Sequence, residues 1–301
     1  MIHVQSPGMF TTVQDLGRYG YGPLGVSPSG AADPVSLRIG NLLVGNLPNA
    51  AALEMTLLGG TFAFPDGATI VLTGSDFGVD TYRVHEIAPG GVLKLGPTRS
   101  GARCYLCVAG GIEVAPLLGS ASTHILSGLG GFDGRALRKG DQLKIGAHEK
   151  PASRSIHSDT LKKLAPRKTI RTTIAPQSDW FTADSLARFY SGVYAVTEES
   201  NRMGLRLEGA ALDPPHDGHM TSEGVSLGAI QVPSKGQPII LFVEQQTTGG
   251  YPKIANVISA DLASVGQLRP RDEIRFELVT PEIAHDLICE QEDLLASCIS
   301  I

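Results

Sequence analysis

Short apolar runs bounded by turn residues repeat along this chain. They include Gly60 to Phe64, Thr69 to Leu72, Gly91 to Leu95, Cys104 to Ala109, Gln142 to Ile145, Ile239 to Val243 and Glu273 to Leu278. Their length, and the Gly, Pro or Asp at their ends, predict β-strands. Helical periodicity is rarer. Val35, Ile39, Leu42 and Leu43 recur on one face between Asp33-Pro34 and Gly45-Asn46, which predicts a helix capped by Asp33 with proline at its first position. A second helix is predicted from Thr182 to Gly192, a short turn of helix between Ser259 and Gly266, and an amphipathic helix from Pro281 onward. The pattern is that of a mainly β protein: two β-rich subdomains with a few short helices.

A basic stretch with little apolar periodicity begins at about Ala147 and divides the chain into an N-terminal β-barrel-like subdomain (1–148), a linker (149–168) and a C-terminal subdomain with a terminal helix (169–301). The halves echo one another. Leu137-Arg138-Lys139-Gly140-Asp141 precedes the last strand of the first, and Leu268-Arg269-Pro270-Arg271-Asp272 precedes that of the second. The echo suggests a duplicated barrel-like unit; the plain alternative is reuse of a common β turn.

Composition narrows the function classes. A net charge of −5 argues against a broad basic nucleic-acid face. No apolar run approaches the length of a membrane span, and the N-terminus lacks a basic head and apolar core, so the expectation is a cytoplasmic protein without membrane contact. Cys104 and Cys107 form a C-x-x-C spacing inside a strand pattern, where residues three apart face opposite sides; this favours packing over a shared metal. There is no Gly-Lys dipeptide for a phosphate loop and no Met-Lys biotin acceptor, so no biotin is attached to this chain.

Three polar, glycine-rich stretches carry the candidate chemistry. The first runs from Thr11 to Gly20 and continues at Ser27 to Asp33. In it Arg18 offers a planar clamp for an anion, or a surface pair with Asp15, and Asp33 fits two roles, helix cap and catalytic carboxylate. The second, Ser200 to Arg206, pairs Asn201, suited to orient a carbonyl or to turn a corner, with Arg202 as another anion clamp. The third is the strongest. The apolar strand Ile239 to Val243 runs into Glu244-Gln245-Gln246-Thr247-Thr248-Gly249-Gly250-Tyr251-Pro252-Lys253, and polar groups crowded at a buried strand end are costly unless they bind something or one another. There Glu244 is the candidate base, Lys253 the electrostatic stabiliser, and Gln246, Thr247 and Tyr251 substrate contacts, with Glu223 and Gln231 near enough in sequence to join them. His216 and His219 lack a third ligand at defined spacing, so no metal is expected and His216 is kept as an acid–base candidate. The first and third stretches are expected to line one cleft.

Together these motifs resemble a known family. Thr12-Val13-Gln14-Asp15, Gly17-Arg18, Ser29-Gly30-Ala31, Val108-Ala109-Gly110-Gly111-Ile112, Ser200-Asn201-Arg202-Met203-Gly204, Gly228-Ala229-Ile230-Gln231-Val232-Pro233 and Gln246-Thr247-Thr248-Gly249-Gly250-Tyr251-Pro252 follow one another in the order seen in one family. It is that of the bacterial 5-oxoprolinase C subunit, or carboxyltransferase domain, which includes allophanate hydrolase subunit 2 and antagonists of a histidine-kinase inhibitor. Two positions depart from the family pattern: Glu244-Gln245, where Asp-Arg or Asp-His is common, and Pro270-Arg271-Asp272, where Pro-Gly-Asp is usual. The resemblance implies a cyclophilin-like β-barrel architecture. It also implies an ATP-dependent, magnesium-assisted opening of 5-oxo-L-proline to L-glutamate, carried out with two partners of the 5-oxoprolinase, a kinase-inhibitor-like B subunit and an A subunit. Under it, Arg18 or Arg202, together with Lys253, neutralises phosphate charge while Asn201 and Gln246 hold the lactam carbonyl. Two other functions stay open: a carboxyltransferase component acting on urea or a related amide with a biotinylated partner, and a non-enzymatic antagonist of a kinase inhibitor.

Overall fold

Each of these apolar runs is a strand, longer or shorter by a residue or two, in the computed structural model, which describes residues 1–149 and 154–300. The described chain forms two units. The first comprises Met1–Arg18, Ser29–Ala165 and the tail from Asp293; the second comprises Tyr19–Pro28 and Pro166–Glu292.

The first unit holds two five-stranded sheets. One runs in the order Gly91–Lys94, Thr61–Phe64, Ile2–Ser6, Gln142–Ile145, Ile112–Glu113; the other runs Phe10–Gln14, Ala52–Thr56, Arg103–Val108, Ala68–Gly74, Val84–Ile87. Strand alternation explains how both faces of the second sheet are used. Leu53, Met55, Ile70, Leu72, Cys104, Leu106 and Val108 point into a core shared with Ile2, Val4, Phe62 and Phe64 of the first sheet. The intervening residues Glu54, Tyr105 and Cys107 are also buried, because helix α1 (Pro34–Leu43) covers the other face. Cys104 and Cys107 thus face opposite sides: Cys104 lies in the core, and the Cys107 thiol points to the Leu37 carbonyl of α1. Burial pushes both thiols well up, as packed residues require. Gly40 lets α1 approach, since a Cβ there would stand 2.6 Å from Cys107 Sγ and 2.9 Å from Thr73 Oγ1.

The second unit is a closed seven-stranded barrel in the order Thr169–Ile174, Lys253–Val257, Ala229–Gln231, Ile239–Leu241, Gly204–Glu208, Tyr194–Val196, Glu273–Leu278. Its first and last strands pair in parallel and close the ring. Ile274 and Phe276 alternate inward from Glu273, Arg275 and Glu277. A helix of the same unit, Ala183–Ser191, lays Phe189 on Phe276 with ring centroids 4.4 Å apart. Asp33 is the cap the sequence predicts, accepting from Ser36 N at 2.9 Å, and Thr182, the predicted start of the second helix, caps it by accepting from Ser185 N at 3.1 Å.

Three features differ from the expectations. The repeat holds at one turn only. Asp141 accepts from Arg138 N at 2.7 Å and Asp272 from Arg269 N at 2.9 Å, yet the first unit is a pair of open sheets and only the second is a closed barrel. The turn is local chemistry, and it recurs without the long-range pairing around it. The stretch expected as a linker carries the Ser155–Ile156 strand and a short helix, Ser158–Lys163, and it groups with the first unit as far as Ala165; its residues 150–153, Lys150 included, lie outside the described residues. Finally, Tyr19–Pro28 groups with the second unit although it interrupts the first. Among the described residues no helix is long and apolar enough to cross a membrane.

Candidate active site

The strand end singled out by the sequence is a buried polar cluster in the second unit. Past Leu241 the chain keeps antiparallel contact with the 202–203 turn: Phe242 N donates to Met203 O at 2.8 Å, and Glu244 N donates to Arg202 O at 2.9 Å. This places the Glu244 carboxylate on the Arg202 guanidinium, both of them buried. Glu244 is therefore half of a buried ion pair that braces the turn, rather than a base facing open space. Asn201 closes the same turn, accepting from Met203 N at 2.8 Å, which is the corner role allowed for it by sequence.

Lys253, only 4% exposed, lies directly across the sheet from Gln231. Its ammonium is hydrogen-bonded to Glu223, and that bond is the main cause holding the Glu223 carboxyl below its ordinary range. Gln177 ties the arrangement together, donating to Glu223 Oε1 at 3.1 Å and accepting from the Lys253 backbone N–H at 3.4 Å. Gln246 donates to Gln231 Oε1 at 3.3 Å. Over this floor lies a two-residue ladder in which Glu223 and Gly224 pair with Gly249 and Thr248. Thr247 anchors it, its backbone carbonyl accepting from Val225 N at 3.1 Å. Tyr251 lies half-buried beside the His219 ring, with centroids 5.8 Å apart.

The N-terminal stretch makes a second polar cluster, in the first unit. Asp15 is its hub. Its Oδ1 accepts from Gly17 N at 2.8 Å, from Ser120 Oγ at 2.6 Å and from Ser122 Oγ, and its Oδ2 accepts from Ala121 N at 2.7 Å. Arg18 is buried rather than on the surface; it donates to the Ser122 carbonyl and, at 3.4 Å, to the Leu117 carbonyl. Asp33 caps α1 with both oxygens, accepting from Ser36 N and, at 2.6 Å, from Ser36 Oγ. Its backbone N–H donates to the Tyr105 hydroxyl at 2.7 Å, and that hydroxyl donates to Glu54 Oε2 at 2.7 Å. Burial, followed by the Glu54 and Asp33 charges, drives the Tyr105 phenol well up; burial and Asp33 push Tyr82, whose hydroxyl lies 3.3 Å from Ser36 Oγ, up to about 12. Both phenols stay protonated and act as hydrogen-bond partners at neutral pH.

The structure thus brings Gln231, Gln246, Thr247 and Lys253 together with Glu223, joins Arg202 to Glu244, and holds Arg18 and Asp33 in the first unit. The side chain of His216 lies outside the described residues. Sequence reasoning missed Gln177, Gln245 as an individual contributor, and the Glu54–Tyr105–Tyr82 group. Gln177 follows the Thr169–Ile174 strand as Gln246 follows its own, and a polar residue just past a buried strand was the available signal. Glu54 and Tyr105 sit mid-strand, where alternation alone marks only a second buried face.

The cations expected to meet phosphate already have internal partners: Arg18 has carbonyls, Arg202 has Glu244 and Lys253 has Glu223. Among the described residues no three His, Cys, Asp or Glu side chains gather to hold a metal ion. With these cations paired inside the chain, the donor set does not fit a nucleotide with its metal.

Known proteins share both the sequence and the fold. The family described as "Carboxyltransferase domain, subdomain A and B" matches residues 24–278. The chain is 40% identical over 283 residues to the C subunit of 5-oxoprolinase from Escherichia coli strain K12, covering 92% of this chain and 90% of the relative. It is 36% identical over 294 residues to the Haemophilus influenzae protein of the same name, covering 95% and 94%. Among solved structures it superposes on the K. lactis urea amidolyase with a TM-score of 0.90 at 30% identity, covering 98% of this chain but 20% of that one.

Proposed function

The chain belongs to the carboxyltransferase domain family, and from that premise we propose that it is the C subunit of an ATP-dependent 5-oxoprolinase, which opens 5-oxo-L-proline to L-glutamate together with partner subunits. The observation that carries this reading is end-to-end correspondence with two relatives bearing that name, each matched over nine-tenths or more of its own length. The urea amidolyase is matched over a fifth. We place the action in the cytoplasm, where four unpaired cysteines suit a reducing milieu.

The chemistry of the second unit supports the reading. Opening a lactam moves charge onto its carbonyl oxygen as the C–N bond weakens. A buried ammonium held by Glu223, with the Gln231 carboxamide on the adjacent strand and Gln246 bonded to it, supplies stabilisation that needs little reorganisation. Because the residues here do not fit a nucleotide, no step through ATP is assigned to this chain. The test is reconstitution. The purified chain mixed with the A and B subunits, ATP, magnesium and 5-oxo-L-proline is expected to release glutamate, and each component alone is expected to release none. Absence of glutamate from the complete mixture overturns the reading. The likeness to urea amidolyase favours one second reading, carboxyl transfer to urea or a related amide from a biotinylated partner. Its test is transfer of labelled carboxylate from a carboxylated biotin carrier to urea.

A further inference from the structure

Glu223 differs from the other acidic groups of the two clusters. Asp15 and Asp33 meet donors of the chain on both oxygens, and Glu244 is buried against Arg202. Glu223 meets Lys253 Nζ and Gln177 Nε2 on one oxygen, Oε1, and its Oε2 has no hydrogen-bond partner among the described residues. The Glu223 side chain is 41% exposed and that of Lys253 only 5%, so the ion pair is reached from solvent on the carboxylate side. The backbone fixes where this carboxylate stands. Glu223 pairs with Gly249, Met220 N donates to Gly250 O at 2.9 Å, and Val225 N donates to Thr247 O at 3.1 Å. Lys253 holds the carboxyl below its ordinary range, so at neutral pH Oε2 is a charged acceptor with no proton to give. The ammonium beside it has three N–H groups and uses one on Oε1. An open acceptor next to a donor complements the edge of a cis amide, where an N–H and a carbonyl oxygen lie side by side. A lactone presents the same carbonyl beside a ring oxygen, which cannot donate.

We propose that Glu223 is the residue that selects an amide substrate: its Oε2 accepts from the ligand N–H while the Lys253 ammonium donates to the adjacent carbonyl. This rests on the reading that the protein acts on a small cis amide, but it is tested separately. Lys253 and Gln177 both donate to Oε1, so a carboxamide at position 223 must turn its oxygen to them and its NH2 to the ligand. Glu223→Gln therefore converts the open acceptor into a donor with almost no change of shape. Equilibrium binding to the full chain, alone and with its partner subunits, is measured for 5-oxo-L-proline, for its lactone analogue with ring oxygen in place of N–H, and for urea. The wild type is expected to bind the lactam about tenfold or more better than the lactone. Glu223→Gln is expected to invert that order, because its NH2 opposes the lactam N–H and suits the ring oxygen of the lactone. Glu223→Ala, which leaves no group to meet either ligand, is expected to bind the two alike.

A lactam-to-lactone ratio that stays at the wild-type value in both variants overturns the proposal, and so does failure of every amide to bind. If the complex releases glutamate from 5-oxo-L-proline and the ratio is unmoved, the 5-oxoprolinase reading stands and the Glu223 contact falls. If 5-oxo-L-proline fails to bind but urea binds, and Glu223→Gln weakens urea about tenfold, the Glu223 contact stands and the 5-oxoprolinase reading falls.

Discussion

The two polar clusters differ in what stands at their centre, a carboxylate gathering neutral donors in the first unit and ion-paired side chains in the second. In the first unit, Asp15 and Asp33 each engage both carboxylate oxygens with donors of the chain itself. In the second, Gln231 and Gln245 each leave one buried amide atom without a partner among the described residues. A carboxylate that gathers donors of the chain holds backbone in place, and buried polar atoms without a partner among the described residues occur in both units, Gln14 Oε1 and Ser29 Oγ in the first as well. Both motifs look equally functional as sequence.

The largest test of this contrast is Lys253→Met in the reconstituted complex. Glutamate release is expected to fall by about 100-fold or more while the subunits still co-elute; a complex turning over at the wild-type rate would make Lys253 structural, like Asp15. The converse is Asp15→Ala, expected to lower unfolding free energy by about 2–4 kcal/mol in urea titration, because several buried donors lose a charged acceptor at once. A loss within the scatter of surface substitutions would remove Asp15 as the hub. Asp33→Ala should cost about 1 kcal/mol through the lost cap, with Asp33→Ser recovering most of it. If the serine variant is stable but its complex is inactive, Asp33 crosses from scaffold to chemistry. The smallest effect concerns the repeated turn. Gly140 has φ +93° and its counterpart Arg271 has φ +71°, so the second copy holds a side chain where glycine is at ease. Arg271→Gly is expected to add about 0.5 kcal/mol of stability in the same titration, and a decrease would mean that the Arg271 ion pair with Glu198 matters more than the backbone.

Local signals were readable from sequence; long-range ones were not. Asp33-Pro34 and Thr182 announce their helices because a cap acts within a single turn. The Ile239–Leu241 strand and its polar end stand out because burial and polarity change abruptly there. Nothing in the motif hinted that Glu244 would pair with Arg202, a partner 42 positions away, and on its own it looked like a base. The same limit hid the contrast between open sheets and closed barrel. Turns of one kind join strands in either, and closure depends on the parallel pairing of Thr169–Ile174 with Glu273–Leu278, strands separated by most of the second unit.

The first unit takes its last pieces from beyond the barrel: Ile156 pairs with Ile299, and the residues from Asp293 group with strands that begin at Ile2. During synthesis the barrel segment therefore leaves the ribosome before the first unit has all of its parts. Assembly of the N-terminal sheets must begin early and finish late, with one ladder waiting for a strand made after the barrel is complete. A nascent chain stalled just short of Asp293 should carry a folded barrel and a first unit still open to proteases at 155–156.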